Sequence, residues 1–102
     1  MDRIAEIADT LARLDDPRLI DGFLRGILTP RELDDLSSRW ELVKRLRRGD
    51  SQRTIARDLG VSLCKITRGS RELKAPGSAL RAVVDRHTHG GDTPITLRRT
   101  QE

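Results

Sequence analysis

Arg48, Arg57, Arg71 and Lys74 lie within and on either side of the stretch SQRTIARDLGVSLCKITRGS (51–70). Guanidinium and ammonium groups at this density can neutralise phosphates and release counterions, which predicts a steep loss of nucleic-acid affinity with salt. Each of them taken alone is also an ordinary solvated surface charge. Their distribution is what gives them weight. Residues 1–38 carry five basic and nine acidic side chains, whereas residues 39–74 carry eleven basic and four acidic ones. A basic block of this kind, set against an acidic N-terminal segment, is the electrostatic signature expected of a nucleic-acid-binding face.

The elements that must hold these groups can be read from the same stretch. Ser51 is placed to cap a short helix whose apolar face is Ile55, Ala56 and Leu59. Gly60 follows where the chain must leave that helix in a left-handed conformation, which glycine adopts cheaply. Val61 plugs the corner. Ser62 caps a second helix with Leu63 and Ile66 on its buried side, and Ala56 is small where two helices would cross. This spacing predicts a helix-turn-helix over about 51–73, the second helix being the reader of DNA. A generic helical corner inside an all-α core has much the same pattern and is the competing reading.

Around this motif the chain reads as helix throughout. Ile4, Ile7, Ala8, Leu11 and Leu14 give an amphipathic helix over 2–14, and Asp16-Pro17 starts another carrying Leu19, Ile20, Phe23, Leu24, Ile27 and Leu28. That second apolar stripe suits a core or the seam of a dimer. Thr29 and Glu32 have capping-box spacing with Pro30 at the first helical position, so the longest helix runs from there to about Gly49. Trp40 on it is read as core packing. Ala75-Pro76-Gly77 breaks the chain before a last helix near 78–87. Residues 88–102, with glycine, proline and polar side chains but no periodicity, read as a disordered tail, and His87 and His89 as terminal polar residues.

The 102 residues suffice for one small domain, 35% hydrophobic and only 2% aromatic, with a formal net charge of +4. A monomer so composed has a thin core, and burial in a second subunit is the natural remedy. One cysteine, Cys64, excludes an internal disulfide and a cysteine-rich zinc site. No stretch approaches the roughly 20 apolar residues of a membrane span. No signal-peptide pattern opens the chain, so a cytoplasmic protein is expected. No nucleophile, base and orienting group fall in a recognisable arrangement, so no enzyme is expected.

From Leu28 to Leu80 the sequence resembles the bacterial tryptophan repressor family. The segments that carry the likeness are LTPRE (28–32), SR (38–39), LRRGDSQR (46–53), LG (59–60) and ITRGSRELKAP (66–76). The resemblance implies an all-α, six-helix intertwined homodimer over residues 1–87. It also implies operator DNA as partner and L-tryptophan as corepressor, with no other cofactor; no metal is expected, because no carboxylate cluster stands beside His87 and His89. Arg39 and Arg68 match the arginines that lie on opposite faces of the ligand's indole, a task suited to a planar, always-charged fork. Thr29 matches a threonine lining that pocket, and Gly69 lets the ring approach. Gly26 and Leu28 belong to a segment whose carbonyls reach the ligand's ammonium from the other subunit. Gly26 stands where leucine is usual, but a carbonyl contact needs no side chain.

Glu72 is the main departure, since the family commonly has serine there. Its carboxylate can meet the ligand's ammonium or pair with Arg68 one turn away. On the DNA side, Gln52 and Arg53 match the start of the first motif helix, and Arg53 can make a bidentate contact to guanine. Leu63, Cys64, Lys65 and Thr67 match the exposed start of the reading helix. Lys65 replaces an expected threonine and Cys64 a small residue, so the operator can differ; Cys64 is read as a small filler rather than a redox switch. The alternatives are a helix-turn-helix module that answers another ligand or none, and a helical protein-interaction domain.

Overall fold

The structure, a computed structural model, describes residues 2–89. Among these residues there are six helices and no strand: α1 (Arg3–Ala12), α2 (Pro17–Ile27), α3 (Pro30–Arg48), α4 (Gln52–Leu59), α5 (Leu63–Lys74) and α6 (Ala79–His89). The all-α expectation holds, and so does the helix order. None of these helices is long and apolar enough to cross a membrane.

The helix starts follow from short polar side chains that accept otherwise orphaned backbone N–H groups. Asp2 accepts from Ile4 and Ala5, Asp16 from Arg18, Ser51 from Thr54, Ser62 from Lys65 and Ser78 from Arg81. At α3 the predicted capping box closes in both directions. The Thr29 N–H donates to Glu32 Oε1 at 2.8 Å, and the Glu32 N–H donates to Thr29 Oγ1 at 3.1 Å. Two helix ends differ from the sequence reading. α1 stops at Ala12, where Arg13 and Leu14 donate to the carbonyls of Thr10 and Leu11 in a tightened turn. α6 continues to His89, so Thr88 and His89 belong to a helix and not to the tail; the rest of the proposed tail lies outside the described residues.

The chain divides into two compact units with the boundary inside α3, after Leu36. The first holds α1, α2 and the opening turns of α3. Neither α1 nor α2 buries a residue. The α2 stripe is left 55% exposed at Leu19, 36% at Phe23 and 56% at Ile27, and Ile4 on α1 is more exposed still.

The second unit, from Ser37 onward, contains the core: Leu42 and Val43 of α3, Ile55 of α4, Ile66 and Leu73 of α5 and Val84 of α6. Trp40, Leu46, Ala56, Leu59, Val61 and Leu80 pack around it. Polar links tie the helices together at the rim. Arg47 on α3 grips Asp85 on α6 with two hydrogen bonds, 2.8 and 3.1 Å. Arg81 on α6 donates to the Leu73 carbonyl in the last turn of α5, satisfying a carbonyl the helix itself leaves free.

Gly69 sits where α5 meets α3. A Cβ built on it lies 2.7 Å from Leu42 Cδ2 and 3.4 Å from Leu46 Cδ1. Its lack of a side chain therefore serves helix packing, whatever else it serves. Overpacking a core costs about 1–3 kcal/mol, while alanine gains about 1 kcal/mol over glycine in a helix. The Gly69→Ala variant is expected to lose about 1 kcal/mol in urea unfolding. A gain of that size instead means that Leu42 swings aside at no cost.

Candidate nucleic-acid interface

The motif predicted over 51–73 folds as two helices joined by a tight turn. Gly60 closes α4 in the left-handed region (φ 66°, ψ 30°), and its N–H returns to the Ala56 carbonyl. Three residues, Gly60, Val61 and Ser62, join α4 to α5 in one short corner, with Val61 half-buried in it. Ile55 and Ile66 are both 0% exposed and anchor the two helices in the core.

The faces of α5 divide cleanly. Its inner line runs through Ile66, Gly69, Ser70 and Leu73, one residue or pair per turn, as a helix buried along one stripe requires. Leu63 does not belong to that line. The sequence reading put it on the buried side as well as among the DNA contacts, but it is 59% exposed. It is the first helical residue, one turn before the helix begins to pack. Cys64, Lys65 and Thr67 are exposed beside it, so the N-terminal end of α5 presents an apolar group, a thiol, an ammonium and a hydroxyl to solvent. Further along, Thr67, Ser70, Arg71, Lys74 and Ala75 share an open groove of about 570 Å³ with Gln52 from the start of α4. Four of the predicted DNA contacts, Gln52, Thr67, Arg71 and Lys74, thus line one concavity.

The eleven basic side chains of residues 39–74 fall into two sets. Lys44, Arg45, Arg47, Arg48 and Arg57 are engaged by carboxylates. Arg48 holds Asp50 through two hydrogen bonds of 2.9 Å, and Arg57 Nε lies 3.3 Å from Asp58 Oδ1. By contrast, Arg39, Arg53, Lys65, Arg68, Arg71 and Lys74 make no ion pair among the described residues, and all six are exposed. Of the predicted phosphate contacts, Arg48 and Arg57 are therefore paired with carboxylates in place, while Lys74 and Arg71 have no carboxylate partner among the described residues. The reason is local: Asp50 and Asp58 are the only acidic residues between Leu42 and Arg71, and the nearest guanidinium groups take them.

These carboxylates report on the fold through pH. Hydrogen bonds from Arg48 and then Arg45 hold the Asp50 carboxyl down to about 2. Asp58, bonded to Arg45 and Arg57, and Asp85, bonded to Arg47, are also held below the usual carboxylate range. A carboxyl depressed by folding stabilises the protein fully above its unfolded value near 3.8, and that contribution is lost as pH falls through the folded value. The thermal midpoint is expected to drop steeply between about pH 4 and pH 2, and Asp50→Asn to flatten the drop. A variant as acid-sensitive as the parent means Asp50 is no part of it.

The residues assigned to a ligand pocket lie in both units. Gly26, exposed on α2, Leu28, the half-buried C-cap of α2, and Thr29, capping α3, are in the first. Arg39 on α3 and Arg68, Gly69 and Glu72 on α5 are in the second. Arg68 and Glu72, one helical turn apart, make no ion pair with each other among the described residues, so that alternative for Glu72 is not realised. Trp40 is half-buried against the core, as expected, and the His87 ring meets it edge-on at 5.3 Å and 67°, with Lys44 Nζ 5.8 Å from the indole centroid. His87 is thus a packing residue of α6 and not a loose terminal polar group. Among the described residues no group of His, Cys, Asp and Glu is arranged to hold a metal ion.

Comparison with known proteins converges on one group. The family model described as Trp repressor protein matches residues 2–88. A Trp operon repressor homolog of Vibrio vulnificus (strain YJ016) is 35% identical over 86 residues, 83% of this chain and 84% of that one. The Trp operon repressor homolog of Vibrio cholerae is 46% identical over 62 residues, 60% of each chain. That of Xylella fastidiosa (strain M23) is 44% identical over 61 residues, 59% of this chain and 63% of the other. No solved structure matches at a significant level.

Proposed function

The chain belongs to the Trp repressor family, and from that premise we propose that it is a homodimeric, sequence-specific DNA-binding repressor that takes L-tryptophan as corepressor. The observation that carries the DNA reading is the sorting of the basic side chains. Arg45, Arg47 and Arg48 in the last turn of α3 and Arg57 near the end of α4 are spent on carboxylates. Those at the start of α4 and along the outer face of α5 stay exposed and unpaired among the described residues. Exposed cations around a protruding helix end suit a polyanion with readable base edges. Arg53 and Lys65 are donors suited to guanine, Gln52 to adenine, and Leu63 to a thymine methyl. Arg71 and Lys74 serve as phosphate contacts. The homodimer is supported by the first unit, whose α1 and α2 leave their apolar faces uncovered.

In this reading Arg39 and Arg68 sandwich the indole and bind the carboxylate, with Thr29 and Gly69 lining the pocket and the partner subunit's Gly26 and Leu28 offering carbonyls to the ammonium. The ligand acts by population shift. It binds better when the two reading helices stand at operator spacing, and so favours the DNA-competent dimer.

The Glu72 carboxylate, which makes no ion pair among the described residues, favours a direct contact with the ammonium. Calorimetry with L-tryptophan and with indole-3-propionate tests this. The desamino compound is expected to bind at least tenfold more weakly, the value of one charge-assisted hydrogen bond at about 1.5 kcal/mol or more. Equal or tighter binding of the desamino compound removes the role from Glu72. No binding of either compound favours the second reading, a helix-turn-helix regulator that answers another ligand or none.

A further inference from the structure

One arginine of the basic block has a geometry that none of these roles uses. Arg45 on α3 has only 13% of its side chain exposed. Its guanidinium is shared between two carboxylates: Nε donates to Asp50 Oδ2 at 2.8 Å, and Nη2 donates to Asp58 Oδ2 at 2.8 Å. These acids flank α4 at both ends, Asp50 just before the Ser51 cap and Asp58 in the last turn. Asp50 is fixed in turn, because its N–H donates to the Arg45 carbonyl at 3.0 Å and its carboxylate takes the Arg48 fork. α4 has eight residues and only one buried side chain, Ile55. Ala56 and Leu59 pack half-buried beside it, so the apolar contacts hold one face of a short helix against the core. Two charge-assisted bonds, one at each end of the helix, set the orientation.

We propose that Arg45 is a positioning residue for sequence-specific DNA binding: without touching DNA it fixes α4 on α3, and with it the register at which Gln52, Arg53 and the start of α5 meet base edges. This rests on the DNA-binding reading above. It also gives Asp50 and Asp58 a reason to stand in a basic block that faces a polyanion. On charge alone each acid weakens DNA binding, and its removal strengthens it. As parts of the clamp their removal weakens specific binding. The sign of the effect therefore separates the two roles.

The test uses two duplexes of equal length, with L-tryptophan present. One is recovered from a randomised pool by the unaltered protein, and the other is of mixed sequence. Asp58→Asn, Arg45→Met and Arg45→Lys are each expected to weaken binding to the recovered duplex at least tenfold. Lysine keeps the charge but cannot span both carboxylates. Binding to the mixed duplex should change less than about twofold, with the same salt slope, since no phosphate contact is lost. The Arg45→Met/Asp58→Asn pair should be no weaker than either alone. If Arg45→Met fails to fold, Asp58→Asn and Arg45→Lys carry the test. Tighter or unchanged binding by Asp58→Asn overturns the proposal, as does equal weakening of both duplexes by Arg45→Met, the mark of a direct phosphate contact. If the unaltered protein recovers no preferred sequence, the DNA-binding reading itself fails and the positioning role with it, a result seen before any variant is made.

Discussion

Replacing Ile66 by alanine is expected to cost about 2–5 kcal/mol of stability, the range for large-to-alanine changes at fully buried sites. Ile66 is 0% exposed and stands in the core with Ile55, Leu42, Val43, Leu73 and Val84. Among the described residues these six are the only buried apolar side chains, so the cavity has few neighbours to absorb it. For a domain of about this length each kcal/mol moves the thermal midpoint by roughly 4–8 °C, so a loss exceeding about 10 °C should appear by circular dichroism at fixed protein concentration. The informative control is one turn away. Leu63→Ala removes a side chain of the same size from the same helix, but an exposed one. It should change stability by no more than about 0.5 kcal/mol while weakening binding to the preferred duplex. Equal destabilisation by the two variants contradicts the division of α5 into an anchored face and a reading face.

Arg39→Ala carries the second large effect, and it falls on regulation. Arg39 is exposed and unpaired among the described residues, so its removal leaves no buried carboxylate stranded and the fold should survive. Coupling between two ligands is commonly worth about 1–3 kcal/mol, or roughly 5–150-fold in affinity. The variant is expected to lose all of that gain, binding operator DNA with the same affinity whether or not L-tryptophan is present. Its affinity without the amino acid should stay within about threefold of the parent, since in this account Arg39 holds indole and carboxylate rather than phosphate. Loss of DNA affinity in the absence of tryptophan, with the response to it intact, would instead make Arg39 a phosphate contact.

What the sequence made legible follows the range of the interactions involved. Caps act over three residues, so Ser51, Ser62 and the Thr29–Glu32 box could be placed from spacing alone, and each forms as expected. Gly60 likewise satisfies a backbone requirement of its own turn. Contacts between helices do not declare themselves in this way. The Arg45 clamp joins residues five and thirteen apart, separations with no helical periodicity. The only trace it leaves is the presence of two acids in an otherwise basic block. His87 against Trp40 is of the same kind, since nothing in a terminal histidine points to an indole on another helix. Leu63 misled for a different reason. Spacing of three from Ile66 puts it on the inner stripe, but a stripe is buried only where something packs against it, and α5 begins before its partners do. Gly69 had one reading from the resemblance and a second from packing, and only the distance to Leu42 brought the second to light.

The pocket assignments rest on matching residues to the family's motifs, and the most direct examination of the central claim is therefore functional. Affinity of the purified protein for its own selected duplex should be measured with and without saturating L-tryptophan, and affinity for L-tryptophan with and without that duplex. Each ligand is expected to tighten the other by the same factor, within the range of about 5–150 typical of such coupling. A duplex bound equally well with and without the amino acid contradicts that coupling.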